Sequence, residues 1–257
     1  MQHPTHTETG TIRVSQVDRS RRIKLTSLLD WMQDSAYTHS NLLEIFSTDR
    51  LLARNMSWVL MRKLIRIESF PCLGQTVRLT TFPSALNRYF AFRDFKLQDE
   101  KGTPLVLATT SWAVFDLEKR RIIRTPADFI RDFSAPGPPC LEFSQARISP
   151  LEHPEYSEEI FLRENDLDLN THVNHSLLGE WSLSCLPRET KQNCLLKELD
   201  IVYRSECTLE QGSVISQGTA LQNPGNSEEE LFYLHSLKNS HQSREFGRAM
   251  SCWQYPA

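Results

Sequence analysis

The sequence predicts an α+β chain built from one unit used twice: a helix followed by a four- or five-stranded antiparallel sheet, then the same again. Three observations predict it. A Pro-rich stretch at 134–154, SAPGPPCLEFSQARISPLEHP, divides the chain near its middle. Helical and strand-like segments run in the same order on both sides of it. Single residues recur as well: Gly74 in IRIESFPCLGQTV lies 138 positions before Gly212 in IVYRSECTLEQGSV, Glu68 stands at the same spacing before Glu206, and ATTSW and RAMSCW end alike. One such half would leave an apolar sheet face that a single helix cannot fully cover. Two halves sharing one continuous sheet would bury both helices against it.

In the first half, 1–133, Leu25, Leu28, Leu29, Met32, Ala36 and Leu43 recur at helical spacing, with Thr26 or Ser27 placed to cap. Strands are expected over 57–67, 75–83, 87–98 and 103–117, with Asp99-Glu100-Lys101-Gly102 the clearest turn signal. In the second half, 155–257, the stretch 160–162 suggests a short strand. Leu177, Leu178, Trp181 and Cys185 then mark a helix face that Pro187 closes, and strands are expected over 195–206, 213–222, 230–239 and 246–255.

Composition narrows the function classes. Twenty-nine Lys+Arg against 32 Asp+Glu give a formal net charge of −3, which offers no electrostatic basis for general nucleic-acid binding. A 39% hydrophobic content with 13 Phe supports a packed core in one large domain or two small ones. The longest apolar run, 104–115, is interrupted by Thr109, Thr110 and Ser111 and falls short of the roughly 18 residues of a membrane span. The opening MQHPTHTETG has neither a basic n-region nor an apolar h-region and contains Glu8, so the expectation is a cytoplasmic chain without signal or transit peptide. Of six cysteines no two have C-x-x-C spacing, and reduced thiols are expected.

The densest polar run is Asn165-Asp166-Leu167-Asp168-Leu169-Asn170-Thr171-His172-Val173-Asn174-His175. Read as a calcium loop it fails: Thr171 stands where the turn glycine belongs and Leu177 where the twelfth-position glutamate belongs. His172 and His175 alone make a poor zinc motif, and neither metal nor cofactor is expected. Helix capping explains one Asp or Asn well, but not Asp168, Asn170 and His172 at alternating positions. In an extended approach to a helix these three project to one side, beside the N–H groups of the helix start. A carboxylate, an amide and an imidazole grouped there suit acyl transfer, whose oxyanion needs donors.

DLDLNTHVNHSLLGEW resembles the D-x-D-x-N-x-H-V-N-N-x-x-Y-x-x-W signature of the acyl-acyl carrier protein thioesterases of plant plastids and bacteria. RIKLTSLLDWMQDSAYTHS, SWVLMRKLIRIESFPCLGQTV, RYFAFRDF, ATTSWAVFDLEKRRIIRTP and LDIVYRSECTLEQGSV extend the resemblance over nearly the whole chain. It implies a tandem hot-dog, two long helices each wrapped by an antiparallel sheet. It also implies hydrolysis of fatty acyl thioesters on acyl carrier protein, ending elongation. The alternatives are an acyl-CoA thioesterase and a non-catalytic acyl-binding sensor.

The catalytic set implied is Asp168, Asn170 and His172 with Glu206, and Cys207 as the second choice, a nucleophile. On a regular strand Glu206 and Cys207 would face opposite ways, and a buried cysteine is commonly a core residue, so Glu206 is preferred. Asn170 and the N–H groups of Val173 and Asn174 are expected to polarise the thioester carbonyl, with Glu206 or Asp168 activating water and His172 protonating the thiolate. Two positions depart from the signature: His175 replaces its second Asn and Leu178 its Tyr. The first half reads VDRSRRIKL at the equivalent stretch, so one active site per chain is expected and Glu68 reads as a surface carboxylate. Lys119, Arg120, Arg121 and Arg124 form a basic run, with Arg62, Lys63 and Arg66 elsewhere in the same half; one of these patches is a candidate for docking the acidic carrier. Trp58, Trp112 and Trp253 read as core, and His39 in the first helix as a core or surface histidine rather than one facing an acyl channel. A monomer or a homodimer fits a fold that already contains its own pairing.

Overall fold

A computed structural model describes residues 4–43, 47–143, 147–222, 229–241 and 243–256. The chain divides into two compact units between Glu142 and Phe143, inside the Pro-rich stretch. The first contains β1 (His6–Thr11), α1 (Leu25–Leu42), α2 (Thr48–Leu52), β2 (Met56–Ile67), β3 (Thr76–Leu86), β4 (Ala91–Asp99), β5 (Pro104–Asp116), β6 (Arg121–Ile123) and α3 (Ala127–Asp132). Its strands lie in the order β1-β3-β4-β5-β2, with β6 hairpinned onto β5. The second contains β7 (Tyr156–Phe161), α4 (His175–Ser182), α5 (Arg188–Asn193), β8 (Leu195–Tyr203), β9 (Ser213–Leu221), β10 (Glu230–Asn239) and β11 (Glu245–Gln254). Here the order is β7-β9-β10-β11-β8. Strand for strand this is the first unit's order, and each unit is one hot-dog.

α1 follows its periodicity. Leu28, Leu29, Met32 and Ala36 are buried at helical spacing, and the helix packs on β1 and β3. Ser35 and His39 are also buried on that face. His39 is a core histidine: the Arg93 guanidinium donates to its Nδ1 at 2.9 Å and to Thr81 Oγ1 at 3.2 Å. Lys24 is the N-cap and provides no side-chain cap, so Thr26 and Ser27 lie inside the helix rather than capping it.

The second helix is not long. α4 has 8 residues against 18 in α1. Proline lacks the N–H of a helical residue and its ring clashes with the carbonyl four residues back, so no helix runs through Pro187; α4 stops earlier, at Ser182, with Leu183 as its C-cap. Cys185 sits in the turn after the helix, buried, and Pro187 is the N-cap of α5.

The Pro-rich stretch is tied down at both ends. Asp94, buried on β4, accepts from Thr109 Oγ1 and from the Cys140 N–H. Thr109 Oγ1 in turn accepts the Leu141 N–H at 3.0 Å. In the second unit Ile148, Leu151 and Leu234 form a small core, and Arg248 donates to the Ile148 carbonyl at 2.9 Å.

Candidate active site

The polar run folds as a closed turn, not an extended approach. Leu167 and Val173 form a bridge, the Asp168 N–H donates to the His172 carbonyl at 2.7 Å, and the Thr171 N–H donates to the Asp168 carbonyl at 3.0 Å. Thr171 takes the left-handed conformation, φ 61°, that closing the turn requires. Asp168 is the keystone. Its Oδ1 accepts the N–H of Asn170 at 2.8 Å and of His172 at 3.2 Å, so the carboxylate faces its own loop rather than standing beside the imidazole. Asn170 lies at the exposed tip next to the fully exposed Leu169. α4 follows, with the Asn174 side chain accepting the Ser176 N–H at 3.1 Å.

Glu206 and Cys207 lie in the loop after β8, which ends at Tyr203, so the strand-alternation argument does not apply to them. The two residues differ instead in their exposure and their neighbours. Glu206 Oε2 stands 3.6 Å from His172 Nε2, and both side chains are partly open to solvent, at 38% and 28%. That is ion-pair distance, longer than a hydrogen bond. Cys207 is 1% exposed, and burial pushes its thiol up to about 12. A thiol held protonated is a poor nucleophile. Its backbone matters instead: the Cys207 carbonyl accepts the Val173 N–H at 2.7 Å and so fixes the Glu206 loop to the turn.

That bond corrects the expected oxyanion donors. The Val173 N–H is committed to Cys207 and the Asn174 N–H to the Asp166 carbonyl at 2.9 Å, so neither is available to a thioester oxygen. Tyr203 was not singled out from sequence. It is buried beneath the start of α4, donates to the His175 carbonyl at 3.2 Å, and its ring meets that of His175 edge-on. Burial raises its phenol pKa. Among the described residues no three His, Cys, Asp or Glu side chains gather closely enough to hold a metal ion.

The first unit contains the same turn 150 positions earlier. Asp18 Oδ1 accepts the N–H of Ser20 at 2.8 Å and of Arg22 at 3.1 Å, Val17 bridges Ile23, and Arg21 has φ 63°. The Ile23 N–H donates to the Pro71 carbonyl as Val173 does to Cys207. Glu68 and Ser69 donate to the Leu105 carbonyl as Arg204 and Ser205 do to that of Phe246. These bonds set the register at 136 in this loop, so the counterpart of Glu206 is Phe70 and that of Glu68 is Arg204. The spacing of 138 returns at Gly74 and Gly212, both with positive φ, after the second loop has gained two residues. Turn and aspartate are therefore common to both halves, whereas Asn170, His172 and Glu206 are replaced in the first by Ser20, Arg22 and Phe70.

Of the basic residues, Lys119, Arg120, Arg121 and Arg124 are exposed around the β5–β6 turn. Lys63 and Arg62 are buried on β2, so only Arg66 of that trio is exposed. Burial lowers the Lys63 pKa to about 7.

Comparison with known proteins agrees with this architecture. The family model for the acyl-ACP thioesterase N-terminal domain matches residues 4–133 and that for the C-terminal domain matches 151–255. An acyl-[acyl-carrier-protein] hydrolase of Cuphea viscosissima chloroplasts is 26% identical over 239 residues, 88% of this chain and 57% of the relative. The chain thus spans little more than half the length of the curated relatives it matches first. Among solved structures, the 12:0-ACP thioesterase of Umbellularia californica has a TM-score of 0.88 at 23% identity, over 100% of this chain and 96% of that one. A putative oleoyl thioesterase of Lactobacillus plantarum has a TM-score of 0.86 at 21% identity, over 98% and 97%. With both hot-dog domains matched in order, the chain belongs to the acyl-ACP thioesterase family.

Proposed function

We propose that this chain hydrolyses fatty acyl thioesters of acyl carrier protein, releasing the free fatty acid and the carrier thiol. One observation supports the reading above the others. A turn present in both halves carries a His–Glu pair only in the second, where Glu206 stands 3.6 Å from His172. A turn kept only for folding would have no use for that difference.

In the mechanism Glu206 takes a proton from water as its oxygen bonds to the thioester carbonyl carbon. The Asn170 amide and the His172 imidazole donate to the developing oxyanion, in place of the committed Val173 and Asn174 N–H groups. When the C–S bond breaks, the water proton is returned through His172 to the departing thiolate. The carbonyl carbon keeps the water oxygen, so thioester and water become acid and thiol with no other reactant. Asp168 is a positioning residue: it holds the backbone of Asn170 and His172 and leaves the water to Glu206. Cys207 serves as a buried spacer whose carbonyl holds the turn.

A hydrolysis panel of acyl carrier protein and CoA thioesters of graded chain length tests the assignment. Higher kcat/KM on the carrier thioesters is expected. Turnover confined to CoA thioesters would assign the chain to the acyl-CoA hydrolases instead, and binding without turnover of either would make it an acyl sensor.

A further inference from the structure

In the first unit, the tip of the β3–β4 hairpin and the β5–β6 turn are built as one surface. Asn87 closes the first tip by accepting the N–H groups of Tyr89 and Phe90 at 3.0 and 2.9 Å. Asp116 closes the second by accepting those of Glu118 and Lys119 at 3.1 and 2.8 Å. The two are joined by the Thr125 N–H, which donates to the Arg88 carbonyl at 2.9 Å, and by Arg124 Nε, 3.4 Å from the Tyr89 hydroxyl. The surface is thus held by its backbone before any partner arrives, which lowers the entropy cost of binding.

Its chemistry is unusual for a surface facing only water. Tyr89, Phe90, Leu117 and Ile122 are each 37–42% exposed. Between them stand Arg88, Lys119, Arg120, Arg121 and Arg124, five cations against the two carboxylates Asp116 and Glu118. Asp116 is already spent on the turn and on Lys119, 3.5 Å away. The positive potential registers on Tyr89: the bond from Arg124 and the charges of Arg124 and Arg88 pull its phenol below its ordinary pKa. Apolar side chains ringed by cations fit an acidic, amphipathic protein face, with the apolar residues filling the centre and the cations steering approach. The chain as a whole has a net charge of −3, so it repels an acidic partner unless a local patch reverses the field.

We propose that these two hairpin tips form the docking surface for the acidic face of the acyl carrier protein. The proposal rests on the thioesterase reading above. It widens the basic run seen in the sequence to include Arg88 and adds the apolar contacts of Tyr89 and Phe90.

The test uses the full chain, an Arg88→Glu/Arg124→Glu variant and a separate Phe90→Ser variant, each checked for an unchanged thermal melt. Hydrolysis of one acyl chain is compared on carrier protein and on pantetheine, and binding of holo carrier protein is followed by fluorescence anisotropy. The ratio of kcat/KM on carrier to kcat/KM on pantetheine should fall about tenfold or more in the charge-reversal variant, through KM, and less in Phe90→Ser. Carrier binding should weaken in parallel and lose its salt dependence. An unchanged ratio in a wild type that does hydrolyse carrier thioesters would overturn the docking surface and leave the function standing. A wild type active on pantetheine but inert toward carrier would overturn both. Loss of binding to anionic lipid vesicles with the carrier ratio intact would reassign the patch to a membrane surface and overturn the proposal.

Discussion

Asp168 and His172 are joined through the backbone, not through their side chains: the carboxylate accepts the His172 N–H at 3.2 Å and the Asn170 N–H at 2.8 Å. Asp18 does the same for Arg22 and Ser20 in the first unit. The two aspartates make an internal control for separating folding from chemistry. Asp18→Ala and Asp168→Ala should each cost about 1 kcal/mol of stability, the value of a lost turn bond pair at the surface. Only Asp168→Ala should also reduce kcat, because only that turn carries His172. Urea unfolding and steady-state hydrolysis of both variants check this; equal loss of activity would remove the positioning role.

Cys207 should be dispensable for turnover. Its thiol is buried and held protonated up to about 12, so Cys207→Ala is expected to keep most of its activity and lose about 1 kcal/mol to the small cavity. A trapped acyl-enzyme in wild type that disappears in this variant would establish covalent attack instead.

Gly218 is required by close packing. A Cβ there would lie 2.9 Å from Cys185 Sγ and 3.4 Å from His235 Nδ1. Gly218→Ala should destabilise by about 1–3 kcal/mol. Removing the opposing sulfur in Gly218→Ala/Cys185→Ala should recover part of that, a coupling that a double-mutant cycle on thermal or urea unfolding measures.

His235 gives the stability profile a pH slope. It is buried with Nε2 2.7 Å from Ser251 Oγ, and burial lowers its pKa from 6.5 to about 3. Between those values the unfolded chain binds a proton that the folded chain does not, so this residue's contribution to stability falls as pH drops from about 6.5 toward 3. Urea unfolding of wild type and His235→Gln at several pH values should show a shallower slope for the variant across that window. Parallel slopes would contradict the assignment.

The long strands were legible because alternation and turn signals coincide: β9, β10 and β11 begin and end within a residue or so of the expected spans. β1 was not, since HTETGT is a polar edge strand with no apolar face to read. β4 starts later than expected because the Asn87 side chain closes a turn on the residues before it. At the site, residue types and spacing singled out Asp168, Asn170 and His172, and the family resemblance added Glu206. They did not reveal which of them bind backbone. The roles of Asp168, Val173 and Asn174 are decided by hydrogen bonds to Asn170, Cys207 and Asp166, and no periodicity encodes those partners. The two-residue gain that shifts Glu206 opposite Phe70 was likewise hidden, because Glu68 offered a chemically identical match at the wrong register.

The most direct test of the catalytic pair is kcat for an acyl carrier thioester in Glu206→Gln, measured beside its unfolding curve. The substitution keeps the shape of the side chain and removes only its ability to take a proton. Loss of general-base catalysis is worth roughly 100- to 10,000-fold, so turnover should fall by at least about 100-fold with unfolding unchanged. A Glu206→Gln protein that folds normally and turns over near the wild-type rate would contradict the assignment of Glu206 as the base.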